Sequence, residues 1–454
     1  MSKCREETLP APSDGEAMST KLRRIALKAC KEPQFQFTSL FHLMNERLLR
    51  ECFERLRKDA APGMDQMTKE EYARNLSERL ADLVERLGRM AYRPQAVRRV
   101  YIPKPGSSKQ RPLGIPALED KIVQAGLVAI LENIYEVDFI DDSYGFRPRR
   151  GCHDALRALS HTVESGSVNW IVEADIKGFF DNVNHAWMMK FLNHRINDQR
   201  VLRYVKRFLK AGVMEDDVIH ASVEGTPQGG VISPLLANIY LHYALDLWFE
   251  RRFRKTCVGF ARLIRYAEDF VVCFERREEA ERFRVELTER LGKFDLEIEP
   301  SKTKVLAFGP RAEEEARRGG RSKPETFDFL GFTHYASRSR NGRRFRMKRV
   351  TARKKFRAKL AAYKEWLKAS RSRLTNRELW ETTCAKLRGH FAYYGVTDNS
   401  PGIIRFAFEV RRTLFKWLNR EGGRRGMNWE KFNRMDQRFP LPKPRIRVNL
   451  LPTW

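Results

Sequence analysis

Two hydrophobic patterns alternate along the chain. Apolar residues at helical spacing cover Phe35–Leu56 and a segment that opens at Thr68–Glu71 (TKEE), a capping-box sequence. Short apolar runs bounded by turn residues predict buried strands at residues 97–102, 169–175, 263–274 and 327–335. Basic amphipathic helices follow beyond Arg343. The chain is therefore predicted to mix helices with buried strands and to end in a separate helical segment.

The apolar run from residue 263 to 274 is interrupted by two acids, Glu268 and Asp269. The pattern predicts two buried strands joined by a tight turn, with both carboxylates on the turn. A third acid, Asp175, ends the predicted strand at residues 169–175, so only the topology of a sheet can bring the three together. Together they would bind a divalent metal and support phosphoryl transfer. Glu268 and Asp269 alone leave an ordinary acidic β-turn equally open.

Polar loops near these strands carry basic and small residues. Lys104, Lys109 and Arg111 lie on a predicted hairpin that would neutralise triphosphate oxygens, although basic hairpins are common. The loop Ser143–Pro148 mixes aromatic and basic side chains, and contact with a template strand and internal packing both stay open for it. Gly229 and Gly230 permit a close backbone approach to a ligand.

The net charge of the chain adds a prediction about its binding partner, which is expected to be a nucleic acid. The 454-residue chain has a formal net charge of +29. Residues 341–454 contain 30 Lys and Arg against 8 Asp and Glu, a net charge of +22 in the last quarter of the chain. A solvated basic surface is the alternative explanation, but the asymmetry of charge favours a polyanionic partner, namely nucleic acid.

Other features narrow the location. No stretch approaches the roughly 18 uninterrupted apolar residues of a membrane-spanning helix, so no membrane partner is expected. The segment before Phe35 lacks an apolar signal core and is expected to be a polar, poorly ordered lead. The seven cysteines are scattered without a C-x-x-C pair, which predicts no disulfide framework and fits a reducing, bacterial cytoplasm.

The ordered motifs of the chain resemble those of the reverse transcriptase, or maturase, encoded by bacterial group II introns. They are Arg111–Pro116 (RPLGIP), Ser143–Pro148 (SYGFRP), Glu173–Asp181 (EADIKGFFD), Gly225–Pro234 (GTPQGGVISP), Arg265–Phe270 (RYAEDF) and Phe329–Phe332 (FLGF). Leu387–Tyr394 (LRGHFAYY) is similar to the maturase thumb, which distinguishes this group from retron enzymes. The resemblance runs from about Phe35 to the end of the sequence.

The resemblance implies an α+β fold of the right-hand polymerase type, with an antiparallel sheet in fingers and palm and an α-helical thumb or maturase domain after them. The expected parts are a flexible lead over residues 1–34, fingers and palm over 35–335, the thumb over 336–430 and a basic tail over 431–454. No endonuclease domain is expected. The implied activity is RNA-directed DNA polymerisation that copies intron RNA for mobility, together with binding of intron RNA to assist splicing.

The resemblance also assigns roles. Asp175, the Ile176 carbonyl, Glu268 and Asp269 would hold two Mg²⁺ ions, with Mn²⁺ as a substitute. Lys109 and Arg111 would hold the triphosphate of a dNTP. The remaining implied site residues are Phe180 as the steric gate against a ribose 2′-OH, Gln228 beside the incoming nucleotide and Lys302 as proton donor to pyrophosphate. The implied partners are intron RNA, an RNA template–DNA primer duplex, dNTPs and target DNA.

One position departs from the family pattern. The family usually has Tyr-Ala-Asp-Asp, whereas this chain has Glu268 in the third place. Glutamate carries its carboxylate about 1.5 Å farther from the backbone, and Mg²⁺ demands near-ideal octahedral geometry. Either the backbone is adjusted to seat a glutamate and the enzyme polymerises, or polymerisation is weak and RNA binding survives. The level of activity therefore stays open, with an active enzyme favoured by the complete set of other site residues.

Three hypotheses follow: an intron-encoded RNA-directed DNA polymerase with maturase function, an RNA-binding splicing factor on the same fold, and a related reverse transcriptase recruited to phage defence. The thumb-like motif argues against the third hypothesis. Group II intron RNA domains flanking the gene would decide between it and the first two.

Overall fold

The computed structural model describes residues 18–103, 110–165, 167–215, 218–220, 224–226, 229–339, 341–419 and 427–451. The helices are α1 (Met18–Lys31), α2 (Glu46–Arg55), α3 (Lys69–Ala73), α4 (Leu76–Gly88), α5 (Leu118–Asp138), α6 (Cys152–Glu164), α7 (His185–Asn193), α8 (Gln199–Leu209), α9 (Ser233–Leu241), α10 (Arg277–Gly292), α11 (Ala312–Arg318), α12 (Arg353–Ser370), α13 (Asn376–Tyr394), α14 (Ser400–Leu418) and α15 (Trp429–Arg438). The strands are β1 (Val97–Pro103), β2 (Gln110–Ile115), β3 (Trp170–Ala174), β4 (Val213–Glu215), β5 (Val218–His220), β6 (Ala261–Tyr266), β7 (Asp269–Phe274), β8 (Lys304–Ala307), β9 (Thr326–Phe329), β10 (Phe332–Arg338) and β11 (Phe345–Thr351).

The strands form separate sheets that are mostly antiparallel. One sheet has the order β2-β1-β4-β5, in which β1 and β4 are parallel. The second has the order β6-β7-β3-β8 and is antiparallel throughout. The third has the order β11-β10-β9 and is also antiparallel. Helices pack around these sheets, so the predicted α+β class agrees with the described structure.

The N-terminal helices differ in detail from the sequence prediction. The poorly ordered lead expected over residues 1–34 contains helix α1, which packs on α5. The single helix expected over Phe35–Leu56 is shortened to α2, because Asn45 caps it by accepting the Leu48 N–H at 3.0 Å. The predicted capping box at Thr68 is confirmed, but its helix is interrupted between α3 and α4.

The β6-β7-β3-β8 sheet is buried on both faces. In β3, Val172 belongs to the hydrophobic core on one face and Ile171 to the core on the other. In β7, Val272 and Val271 divide between the same two cores. A strand covered on both sides needs no polar face, which explains why its sequence is a continuous apolar run and not an alternating one.

The C-terminal helices share one of these cores with the sheet. Apolar side chains of α13 and α14, including Leu387 and Leu414, belong to the same buried cluster as Ile171 and Ile264 of the sheet. Strands β9, β10 and β11 connect the two regions. The domain boundary expected at residue 335 therefore falls inside β10.

Some connecting segments also differ from expectation. The apolar run at residues 327–335 is a hairpin of β9 and β10 and not one strand, because Leu330 and Gly331 turn the chain at φ +48° and +80°. The polar, charged segment over residues 311–323, for which no regular element is predicted, contains α11. The expected basic tail begins within α15, and Val448 then pairs with Val396.

Two further expectations concern cysteines and membranes. Cys52, Cys152, Cys257, Cys273 and Cys384 are free thiols. Cys30 is disulfide-bonded, a single bond that the expectation of no disulfide framework did not foresee. Within the described ranges, none of the helices has both the length and the apolar character needed to cross a membrane.

Candidate active site

The predicted acids meet at one end of the β6-β7-β3-β8 sheet. Glu173 and Ala174 of β3 pair with Val271 and Phe270 of β7, so the next residue, Asp175, comes opposite Asp269. The β6–β7 hairpin closes with Tyr266 paired to Asp269, which leaves Ala267 and Glu268 as the turn. Sheet topology thus brings Asp175 to the two turn acids from a distant part of the chain.

The carboxylates of this group repel one another. Burial, followed by the charge of Asp269, raises the pKa of the half-buried Glu268 carboxyl. Asp269 keeps access to solvent, yet burial of its surroundings and the charge of Asp175 raise the pKa of its carboxyl as well. The positive charge of Arg111, on β2, acts on both turn acids and partly offsets the rise in their pKa values. Arg111 therefore lies within electrostatic reach of the acids, as the resemblance implies for a triphosphate ligand.

Lys302 sits directly on the first acid. Its ammonium forms a hydrogen-bonded ion pair with the Oδ2 atom of Asp175, and this bond raises the pKa of Lys302. Lys302 is thus placed in the site predicted for it and is protonated. In this arrangement it supplies a positive charge to a carboxylate expected to bind a metal.

A cavity of about 280 Å³ opens beside the acids. Asp175, Asp269 and Lys302 line it, together with residues that the sequence analysis did not include in the site. Those additional charged residues are Glu173, Asp328, Lys354 and Lys355. The charge of Lys355 partly offsets the rise in the pKa of Asp269, so the first turn of α12 faces the acids. In the sequence, Asp328 is distinguished only as an acid within the apolar run at residues 327–335.

The donor chemistry fits a divalent metal, while the spacing is not yet that of a closed metal site. Oxygen-only carboxylate ligands are those that Mg²⁺ prefers, and mutual repulsion among Asp175, Glu268 and Asp269 would be relieved by a cation. Within the described ranges, however, no group of three or more His, Cys, Asp or Glu side chains converges closely enough for metal ligation. Glu268 is also outside the described lining of the cavity that Asp175 and Asp269 share.

The predicted steric gate, Phe180, lies in a short helical turn after β3 and is half-buried. Its carbonyl accepts a hydrogen bond from the Thr226 N–H at 2.8 Å. Gly225 adopts φ +85°, and a β-carbon there would lie 3.0 Å from the same carbonyl. The Gly225–Thr226 segment therefore packs on the gate residue. Gln228 and Lys109 lie outside the described residues.

Packing accounts for one residue in each of two predicted loops. Gly229 does approach a backbone closely, but that backbone is β2, because a β-carbon at Gly229 would lie 2.5 Å from the Gly114 carbonyl oxygen. In the Ser143–Pro148 loop, the buried Arg147 donates to both carboxylate oxygens of Glu136 at 2.8–3.1 Å and is a packing residue. Phe146 of the same loop is 50% exposed at φ +56°.

Comparison with known proteins agrees with this geometry. Residues 102–334 match the family model described as "Reverse transcriptase (RNA-dependent DNA polymerase)". The matched region contains β2, which carries Arg111, and the β6-β7-β3-β8 sheet that gathers the three acids. It includes the site residues predicted from the sequence, whereas Lys354 and Lys355 of the cavity lie beyond it.

Individual relatives point the same way. The chain is 48% identical over 165 residues to the group II intron-encoded protein LtrA of Lactococcus lactis subsp. cremoris, covering 36% of this chain and 27% of that protein. It is 35% identical over 322 residues to protein YkfC of Escherichia coli (strain K12), covering 63% of this chain and 84% of that protein. It is 31% identical over 174 residues to nuclear intron maturase 2, mitochondrial, of Arabidopsis thaliana, covering 30% and 23%.

The aligned region thus spans about a quarter of the Lactococcus protein and most of the Escherichia protein. The catalytic-site motifs, the sheet that gathers them and these matches agree with the resemblance inferred from the sequence. The chain belongs to the reverse transcriptase (RNA-dependent DNA polymerase) family and, within it, is similar to group II intron-encoded proteins.

Proposed function

We propose that this protein is an RNA-directed DNA polymerase encoded by a group II intron, which copies intron RNA and binds that RNA to assist splicing. The observation that carries the proposal is the meeting of Asp175 with Glu268 and Asp269 at one end of a sheet, beside a cavity with basic residues. An ordinary acidic β-turn would not explain why a third acid from another strand and several basic side chains lie next to Glu268 and Asp269.

Each site residue then has a role. Asp175, the Ile176 carbonyl, Glu268 and Asp269 would hold two Mg²⁺ ions, which would stabilise charge while a primer 3′-hydroxyl attacks the α-phosphate of a dNTP. Arg111 and Lys109 would bind the triphosphate, and Gln228 would contact the incoming nucleotide. Phe180 would exclude the ribose 2′-hydroxyl. Lys302, protonated through its contact with Asp175, would donate a proton to the leaving pyrophosphate.

The wider architecture would be that of a right hand. Residues 35–335 would form fingers and palm, 336–430 the thumb or maturase domain, and 431–454 a basic tail. The net charge of +22 over residues 341–454 would hold intron RNA, the template–primer duplex and target DNA through phosphate contacts. The core that the C-terminal helices share with the β6-β7-β3-β8 sheet would join the thumb to the palm, and the bacterial cytoplasm would be the place of action.

Primer extension on an RNA template, with Mg²⁺ or Mn²⁺, tests the polymerase proposal. We expect wild-type protein to extend the primer. Asp175→Ala should lose extension, because it removes the carboxylate that follows β3 and is proposed to bind the metal ions. Glu268→Asp should extend faster, by up to about a hundredfold, because it withdraws the carboxylate toward the family position. No extension by wild-type protein or by Glu268→Asp would contradict the proposal.

A second candidate function is RNA binding for splicing without efficient polymerisation. It is favoured by Glu268 in place of the usual Asp and by the position of Glu268 outside the described lining of the shared cavity. An intron splicing assay run on the same proteins separates the two functions. Splicing that is equal for wild type, Asp175→Ala and Glu268→Asp, with no extension by any of them, would establish the second function.

A further inference from the structure

A fully buried polar network lies behind the catalytic turn. Arg265, on β6 just before the turn, forms a two-pronged ion pair with Asp246, and neither side chain is exposed to solvent. The guanidinium Nε and Nη2 atoms donate to the two carboxylate oxygens at 2.8 and 2.6 Å. The Nη1 atom donates to the Ala267 carbonyl at 3.0 Å and to the Asn238 Oδ1 atom at 2.9 Å. The network thus ends on the backbone of the turn that carries Glu268.

Asn238 connects the same network to the loop that flanks the turn. Its side-chain amide donates to the Gly145 carbonyl at 2.7 Å. A β-carbon at Gly145 would lie 2.2 Å from the Ala267 nitrogen, so the loop presses on the turn from the other side. The backbone of the loop also pairs with β6, where the Tyr144 N–H donates to the Arg265 carbonyl at 2.8 Å. Ala267 is therefore held by contacts on both sides.

The conformation of the turn needs such support. Ala267 adopts φ +56°, a left-handed conformation that is sterically unfavourable for a residue with a β-carbon. Asp246 comes from a π-helical segment, His242–Asp246, that continues α9. π-Helical turns are rare and are frequent at functional sites, because they reposition a side chain relative to a regular helix.

We propose that Arg265, Asp246 and Asn238 are positioning residues that fix the turn and so set where Glu268 and Asp269 stand relative to Asp175. The inference rests on the proposed polymerase function. The two carboxylates attach to the turn backbone, so a shift of the Ala267 carbonyl shifts both. Glu268 is longer than the aspartate usual at this position. The backbone of the turn must therefore be placed so that the longer side chain still brings its carboxylate to the site.

The main test exchanges the ion pair as a unit, Arg265→Met with Asp246→Leu. Removing both buried charges together leaves neither uncompensated, and such exchanges are often neutral for stability. The matched control is Arg262→Met with Asp142→Leu, also on β6, where Arg262 donates to the two Asp142 carboxylate oxygens at 2.8 and 2.7 Å and reaches Thr162. A third protein, Arg265→Lys, keeps the buried charge but loses the branched geometry of the guanidinium.

Three quantities are measured on each full-length protein: thermal stability, Mn²⁺ affinity by electron paramagnetic resonance, and the rate of primer extension with saturating template–primer duplex. For the Arg265/Asp246 exchange we expect near-wild-type stability, with Mn²⁺ affinity and extension rate each lower by about 10- to 100-fold. Arg265→Lys should show a smaller loss of both. The Arg262/Asp142 control should match the wild type in metal affinity and rate.

A folded Arg265/Asp246 exchange with wild-type Mn²⁺ affinity and rate would overturn the inference, and so would an equal loss in the control. If the exchange does not fold, Arg265→Lys decides, because wild-type metal affinity and rate in that protein exclude a positioning role. If wild-type protein binds Mn²⁺ but extends no primer, the polymerase proposal fails separately. A lower Mn²⁺ affinity in the exchange would then still support the positioning role.

Discussion

At the scale of single residues, the candidate site combines the carboxylates of Asp175, Glu268 and Asp269 with the ammonium of Lys302, which pairs with Asp175. The three acids follow from a strand end and a turn, Lys302 follows from the family resemblance, and the structure brings Asp175, Asp269 and Lys302 to one cavity. The side-chain contact between Lys302 and Asp175 depends on the turn that precedes β8, the strand paired with β3, and no local pattern encodes it. Lys355 was not included in the predicted site, because it lies among other cations in a helix that the sequence analysis interpreted as part of a surface for nucleic acid.

Phe180→Ala tests the sugar-recognition role at this scale. We expect the substituted enzyme to accept ribonucleotides, with the dNTP-to-rNTP ratio of kcat/KM reduced by about ten- to a hundredfold, because the aromatic wall facing the 2′-hydroxyl is removed. Single-nucleotide incorporation with each substrate measures the ratio. The control is Phe146→Ala, which removes a Phe that is 50% exposed in another motif. An unchanged ratio in Phe180→Ala would remove the gate role from this residue.

At the scale of elements, existence was predicted better than boundaries. The β6–β7 hairpin was expected where it occurs, because a long apolar run interrupted by two acids identifies it. The β9–β10 hairpin was missed since its turn uses Leu330 at φ +48°, and leucine is not a turn residue in any sequence rule. In the structure Gly331 packs against the Tyr394 hydroxyl of α13, which shows a tertiary reason for the turn.

His390 makes α13 sensitive to acid. It is buried against Phe406 at a ring distance of 3.6 Å, and neither ring nitrogen has a hydrogen-bond partner among the described residues. Burial, and then the charge of Lys359, lowers the pKa of His390 from 6.5 to about 3. The native state therefore binds fewer protons than the unfolded state in this range. Its stability is complete above pH 6.5 and is lost as the pH falls toward 3.

We accordingly expect His390→Phe to raise the free energy of unfolding at pH 7 by about 1–2 kcal/mol, since a buried unsatisfied ring becomes apolar. Between pH 6.5 and 3 the substituted protein should lose less stability than the wild type, by up to about 5 kcal/mol. Urea unfolding at a series of pH values measures both effects. Parallel pH profiles for the two proteins would show that His390 does not protonate on unfolding.

The first turn of α12 carries a separate prediction. Lys354 and Lys355 line the cavity of the acids, and three consecutive cations, Arg353 to Lys355, open this helix with no acid in its first turn. Cations at a helix N-terminus oppose the helix dipole, so a bound polyanion would stabilise them. Lys354→Ala with Lys355→Ala should weaken template–primer binding and reduce the slope of log K against log salt by about 2.

Fluorescence anisotropy over a range of salt concentrations measures that slope. The matched control is Lys255→Ala with Lys293→Ala, which removes the same charge from exposed positions elsewhere. An equal decrease in both proteins would mean that only the total charge matters. In that case the α12 lysines would have no particular contact with the duplex.

At the scale of the whole molecule, composition predicted the partner, whereas the relation between regions required the structure. The basic last quarter indicated nucleic acid, but charge carries no information about packing. The expected boundary at residue 335 failed to anticipate that Ile171 and Ile264 share a core with Leu387 and Leu414. Apolar periodicity shows that a face is buried and does not show which other face covers it.

A shared core predicts joint unfolding. We expect a chain that ends at residue 351 to be aggregation-prone, because removal of the C-terminal helices uncovers one face of the β6-β7-β3-β8 sheet. The full chain should unfold with a single transition for that sheet and for α13. Size-exclusion chromatography of the truncated chain and hydrogen exchange of both regions in the full chain measure this. A soluble, folded truncation would contradict it.

The same core restricts how the proposed polymerase can advance along its substrate. The C-terminal helices share this core with the β6-β7-β3-β8 sheet, so they cannot swing away from the sheet at each nucleotide addition without exposing Ile171, Ile264 and their neighbours to water. We therefore expect the duplex to slide through a clamp of nearly constant width while the protein stays closed around it. Such an enzyme would dissociate rarely between additions and would make long copies from a single encounter with its template.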